Sequence, residues 1–165
     1  MDLKSKIILI SGPTASGKSK AALKIAKKLN GEIINADSMQ VYKELKILTA
    51  RPSKTDLNKI DHHLYGFRSV KKEFSSGEWL KLAKQNIKKI RDKNKIPVLV
   101  GGTGLYFKAL TDGLVKIPKI PISARDKIRR MQNKLGQKKF YLKLLNNDPL
   151  VKNKIDPTDV QRSIR

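Results

Sequence analysis

The sequence predicts an α/β fold, a parallel sheet flanked by helices, with the start of a helical insertion behind it. Two observations carry this. Short apolar runs alternate with amphipathic stretches of helical period, which is the pattern of strands joined by crossover helices. The order strand, glycine turn, helix also occurs twice, in "ILISGPTASGKSKAALKIAKKL" and in "KIPVLVGGTGLYFKAL".

Each element follows in turn. Residues 6–10, "KIILI", read as a buried parallel strand that Ser11-Gly12-Pro13 ends. From Gly17 onward Ala21, Ala22, Ile25, Ala26 and Leu29 form one apolar stripe, and Asn30-Gly31 stops the helix. "EIINA", residues 32–36, is a second strand with Asp37 and Ser38 at its carboxyl end. Residues 40–75 are less regular, with "DHHLYGF" as a short edge strand. Ser75 and Glu78 have capping-box spacing, and Trp79, Ala83, Ile87 and Ile90 fall on one face of the helix they open. Residues 95–110 repeat the strand, glycine turn and helix. Ligands of such sheets gather beyond the carboxyl ends of the strands. The first glycine loop, Asp37 and Thr103 all belong to that edge.

Pro118 and Pro121 then punctuate a basic linker, so the α/β core is placed at 1–117 and a helical region at 118–165. Residues 123–147 read as helix. Asp156-Pro157 opens another, with proline in its first turn and Asp159 near its positive end. The sequence stops at Arg165, less than three turns into that helix, so a longer chain is expected.

Composition narrows the function classes. The formal net charge is +23, which calls for a polyanionic partner, nucleic acid first. Of the 37 basic residues 29 are lysines, many on outward helix faces, so a solvated lysine-rich surface accounts for the same charge. Both readings stand. The absence of cysteine excludes disulfides and thiol nucleophiles and fits the cytoplasm. No apolar run approaches the 18 residues of a membrane span, and no signal-peptide pattern is present. A monomer with no membrane association is expected.

The first glycine loop carries the chemistry. Gly12, Pro13, Thr14, Ala15, Ser16, Gly17, Lys18 and Ser19 satisfy G-x-x-x-x-G-K-[ST] between a strand and a helix, the context the P-loop requires. Glycines let the backbone turn N–H groups inward, and the helix N-terminus adds a positive field. Lys18 reaches a terminal phosphate, and the Ser19 hydroxyl suits Mg2+. ATP is the usual guest, so nucleotide binding and a small-molecule kinase come into view. Such enzymes carry a strand-end acid for magnesium, whereas "IPVLV" ends in Gly101-Gly102-Thr103 without one. Asp37 is the strand-end carboxylate near the loop: either a turn cap or a general base toward a substrate. His62-His63 lacks partners at zinc-like spacing and is read as strand. Tyr106, Phe107 and Trp79 are read as core.

Taken in order, "GPTASGKS", "INADSMQVY", "TARPS", "HHL", "VGGTGLY" and "DPTDVQRSIR" resemble the successive motifs of the tRNA dimethylallyltransferase (tRNA isopentenyltransferase) family, from end to end of the chain. The resemblance implies transfer of a dimethylallyl group from dimethylallyl diphosphate to the exocyclic amine of the adenosine 3′ of the tRNA anticodon. It implies a diphosphate held by Thr14 to Ser19, with Lys18 and Thr14 in catalysis and Asp37 accepting a proton from the adenine amine. It also implies tRNA contacts at Asp37, Ser38, Met39, Gln40, Thr103, Arg125 and the run Gln161, Arg162, Ser163, Ile164, Arg165. Family members are about twice this length, and an acidic strand end commonly follows their "HHL" where this chain has "YGFR". The other readings are the kinase and a non-catalytic tRNA-binding piece.

Overall fold

The computed structural model describes residues 6–115 and 120–164. The chain divides into two compact units, Met1–Val115 and Lys116–Arg165. The boundary expected at 117/118, with Pro118, lies outside the described residues.

The first unit runs β1 (Ile8–Ser11), α1 (Lys18–Lys28), β2 (Gly31–Asn35), α2 (Lys54–Leu57), β3 (His62–His63), α3 (Ser76–Asp92), β4 (Ile96–Gly101) and α4 (Gly104–Thr111). The strands form one parallel sheet in the order β1-β4-β2-β3. The two central strands, β2 and β4, are buried throughout, as expected for a sheet covered on both faces. Adjacent residues point to opposite layers. Ile33, Val98 and Val100 pack with Ala22 and Ala26 of α1 on one side. Ile34 and Leu99 pack on the other with Trp79, Ala83, Ile87 and Ile90 of α3 and with Tyr106 of α4.

The expected α3 stripe is therefore core. Ser75 and Glu78 form the full capping box, and Trp79 stacks on Tyr106 with centroids 4.2 Å apart. One expectation needs correction. β1 is not a buried strand but an edge of the sheet among the described residues. Ile8 and Ile10 lean on the α1 layer, while Leu9 faces the other way and is 40% exposed.

The second unit is helical: α5 (Ile122–Asn147), a 3-10 turn (Pro149–Asn153) and α6 (Val160–Ser163). Gly136, at φ 72, breaks α5 into two segments. Phe140, Tyr141 and Val151 are its buried apolar residues. The last helix opens later than the sequence indicates. Asp156 accepts from the N–H and hydroxyl of Thr158 and makes a turn, and Asp159 caps α6 by accepting from Arg162 N at 2.9 Å.

Candidate functional site

The glycine loop bends where the geometry of a cradle demands it. Ala15 and Gly17 both take positive φ, 63° and 81°, which turns successive N–H groups to one side. No side chain caps α1 and no acid stands in its first turn, so the positive end of that helix stays available to an anion. Lys18 Nζ donates to Pro13 O, which folds the ammonium back over the loop. Thr14 to Lys20 line a cavity of about 630 Å3 together with Asp37, Met39, Gln40, Leu48, Thr49, Ala50, Tyr65, Val100 and Gly101. Sequence reasoning brought the loop and Asp37 to one edge of the sheet. In the fold they share one cavity.

Asp37 is held by its backbone. Asn35, fully buried at the end of β2, accepts from Asp37 N at 2.9 Å and donates to Asp37 O at 2.9 Å and Leu64 O at 3.0 Å. From the β4 side, Gly101 packs so closely that a Cβ there would lie 2.1 Å from Ala36 C and O and 2.7 Å from Asp37 N. Only glycine fits that approach. One carboxylate oxygen of Asp37, Oδ1, accepts from Met39 N at 2.8 Å and weakly from Gln40 N at 3.4 Å. The other, Oδ2, has no hydrogen-bond partner among the described residues. It lies 3.8 Å from where a Gly102 Cβ would be, and that Cβ would be 3.5 Å from Gly12 O at the start of the cradle. Oδ1 thus caps the turn, as one of the two sequence readings has it, while Oδ2 is left without a hydrogen bond among the described residues.

The remaining expected site residues take distinct places. Ser38 and Thr103 do not line the cavity. Ser38 N donates to Thr103 Oγ1 at 2.9 Å, which ties the Asp37 loop to the N-terminus of α4. Gln40 Nε2 donates to Thr49 O at 2.8 Å and fixes the loop that brings Leu48, Thr49 and Ala50 to the cavity. The sequence offered no signal for Tyr65 as a wall. Burial, and then the charge of Asp37, push its phenol up, so it stays a neutral hydroxyl. The Ser19 hydroxyl is exposed at the mouth of the cradle and makes no hydrogen bond among the described residues. It fits a magnesium that keeps most of its ligands from water and phosphate. Among the described residues no cluster of three His, Asp or Glu side chains offers a metal cage.

In the helical unit, Arg125, Arg129, Gln161, Arg162 and Ile164 line a cleft of about 500 Å3. Arg129 is an addition the sequence reading missed, one turn after Arg125 on the same face of α5. Arg162 pairs with Asp159 at 3.4 Å, whereas Arg125 and Arg129 have no acidic partner among the described residues. Ser163 is turned inward: its hydroxyl donates to Asp159 O and accepts from Gln137 Nε2. Arg165 lies outside the described residues.

His62 Nδ1 meets Ile60 O at 2.7 Å, and His63 belongs to an ion cluster. His63 Nε2 meets Glu32 Oε2 at 2.7 Å, and Lys93 and Lys95 reach the same carboxylate at 3.0 and 2.8 Å. Glu32 is fully buried. Burial raises its pKa, but hydrogen bonds from Lys95, His63 and Lys93 outweigh that and bring it down to about 2.

A glycine cradle at the carboxyl edge of a parallel sheet, with an acid fixed across the cavity, defines an α/β protein of the P-loop class. The model of the IPP transferase family matches residues 40–165, and the chain belongs to that family. It is 66% identical to a tRNA dimethylallyltransferase of Pelagibacter ubique, over all of this chain and 53% of the relative. A tRNA dimethylallyltransferase of Rickettsia massiliae is 48% identical, over 96% of this chain and 44% of its own length. Among solved structures, a eukaryotic dimethylallyltransferase acting on tRNA superposes with TM-score 0.81 at 31% identity, covering 96% of this chain and 40% of that one. The full-length tRNA isopentenylpyrophosphate transferase of Bacillus halodurans gives 0.66 at 35%, covering 97% and 53%. The chain spans about half the length of the curated relatives it matches. Among the described residues no helix is long and apolar enough to cross a membrane.

Proposed function

We propose that this chain carries the donor-binding half of the site that transfers a dimethylallyl group from dimethylallyl diphosphate to N6 of the adenosine 3′-adjacent to the anticodon in tRNA. The allylic carbon–oxygen bond breaks, its electrons leave with diphosphate, and the N6 nitrogen forms the new carbon–nitrogen bond. The loop N–H groups, Thr14 and Lys18 meet the charge that builds on the leaving diphosphate. Ser19 would hold Mg2+, which supplies further charge stabilisation on those oxygens. The proton lost from N6 goes to Asp37.

The observation that carries this reading is the free Oδ2 of Asp37. An aromatic amine is a poor nucleophile, and an acceptor fixed opposite a phosphate cradle gives it orientation and a place for its proton. A base in a stacked loop must be flipped to reach such a cavity. Met39 and Gln40 line the cavity and Ser38 is tied to Thr103 beside it, which supports an entry for the base on that side. Arg125, Gln161 and Arg162 suit RNA phosphates in the helical unit.

The test follows prenyl-labelled donor into tRNA, with labelled ATP in parallel. It uses the 165-residue protein and a chimera in which the second half of the Pelagibacter ubique relative follows Arg165. Label should enter tRNA and be lost in Asp37→Ala. Phosphate transfer from ATP without prenyl transfer by either protein refutes the proposal.

A further inference from the structure

Arg51, in the "TARPS" stretch, has no role in the site as described, yet its surroundings are unusual. Its Nη2 donates to Lys43 O at 3.0 Å. Its guanidinium lies over Gly66, where an added Cβ would fall 1.2 Å from Nη1. Its Nε is buried without an acceptor, the single such side-chain atom among the described residues. A desolvated donor on a cation is costly unless something fills it.

No carboxylate among the described residues does so. Asp56 lines the same cavity, but its Oδ2 accepts from Ser53 Oγ at 2.7 Å and its Oδ1 pairs with Lys59 at 3.7 Å. What the cavity does share is a wall with the cradle. It holds about 220 Å3, and Ser19, Ala50, Tyr65 and Val100 line both spaces. Arg51, with its Nε open, therefore lines a cavity that adjoins the phosphate site on the side of Ser19.

We propose that Arg51 is a second cationic contact for the diphosphate held by the glycine loop, entering from the cavity that adjoins the cradle. This rests on the reading of that loop as a diphosphate site. Lys18 offers a compact charge from the loop. Arg51 offers a planar fork whose donors match two phosphate oxygens, and turning it toward the cradle gives its desolvated Nε an acceptor. Gly66 leaves room for the guanidinium, and the Lys43 carbonyl aims it.

The experiment is calorimetric titration of the 165-residue protein with inorganic pyrophosphate and Mg2+, for wild type, Lys18→Ala, Arg51→Gln and Arg51→Lys. Arg51→Gln should weaken binding roughly 10- to 100-fold, the range for a hydrogen bond to a charged group. Arg51→Lys, which keeps the charge and most of the packing, should fall between. It also stands as the test if the glutamine variant fails to fold. Should Lys18→Ala lose pyrophosphate while both Arg51 variants bind like wild type, Arg51 has no such role and the cradle reading stands. If wild type binds no pyrophosphate, both fall.

Discussion

Replacing Glu32 by glutamine tests the electrostatics of the sheet at the end away from the cradle. Glu32 is fully buried at the start of β2, and its charged form is held by Lys93, Lys95 and His63. A fall from the ordinary 4.5 to about 2 corresponds to about 3 kcal/mol of folding stability at pH 7. That figure is a ceiling. Lys93 and Lys95 are 52% and 31% exposed and can turn to water once the carboxylate is gone. The sign is set by the depressed pKa: the contribution is complete above pH 4.5 and is lost as pH falls through about 2. Trp79 is the sole tryptophan and its Nε1 donates to Asn35 O of β2 at 2.8 Å, so its emission follows unfolding of this sheet. Urea titrations of Glu32→Gln and wild type should differ by about 2 to 3 kcal/mol at pH 7, and the gap should shrink to roughly half or less by pH 3. An equal gap at both pH values would show that packing, not charge, is at stake. No gap at pH 7 would refute the reasoning altogether.

Two further outcomes are expected. Gly101→Ala forces a Cβ against Ala36 and displaces Asp37, so prenyl transfer should fall at least roughly 100-fold in the chimera. Unchanged rates at saturating donor would show that the placement of Asp37 is not critical. Arg129→Ala removes one unpaired cation from the helical cleft, so the slope of log affinity for tRNA against log salt should drop by about 1. An unchanged slope places RNA elsewhere.

Much of this was legible in the sequence, for physical reasons. The buried strands β2 and β4, the capped α3 and the glycine cradle announce themselves through local rules of period, capping and turn chemistry. The edge position of β1 was not legible, because an apolar run does not say how many neighbours it has. The start of α6 was misplaced because Asp156 and Asp159 are both good caps, and only the Thr158 contact shows which one makes a turn. Asp37 was found from its place after a strand. The division of labour between its two oxygens was not, since it depends on Met39, Gln40 and Gly102 in three dimensions. Arg51, Tyr65 and the Glu32 cluster rest on contacts between residues distant in sequence, which no local pattern encodes.

The clasp that Asn35 makes has a consequence for how such a protein can drift. The side chains of Asn35 and Thr103 and the close approach of Gly101 hold the main chain around Asp37, so the backbone of the acid is fixed from the sheet and its rim. The exterior is then free to accumulate lysine under pressures unrelated to chemistry. Two chains of this kind can wear quite different coats and still present the same atom to the same cavity.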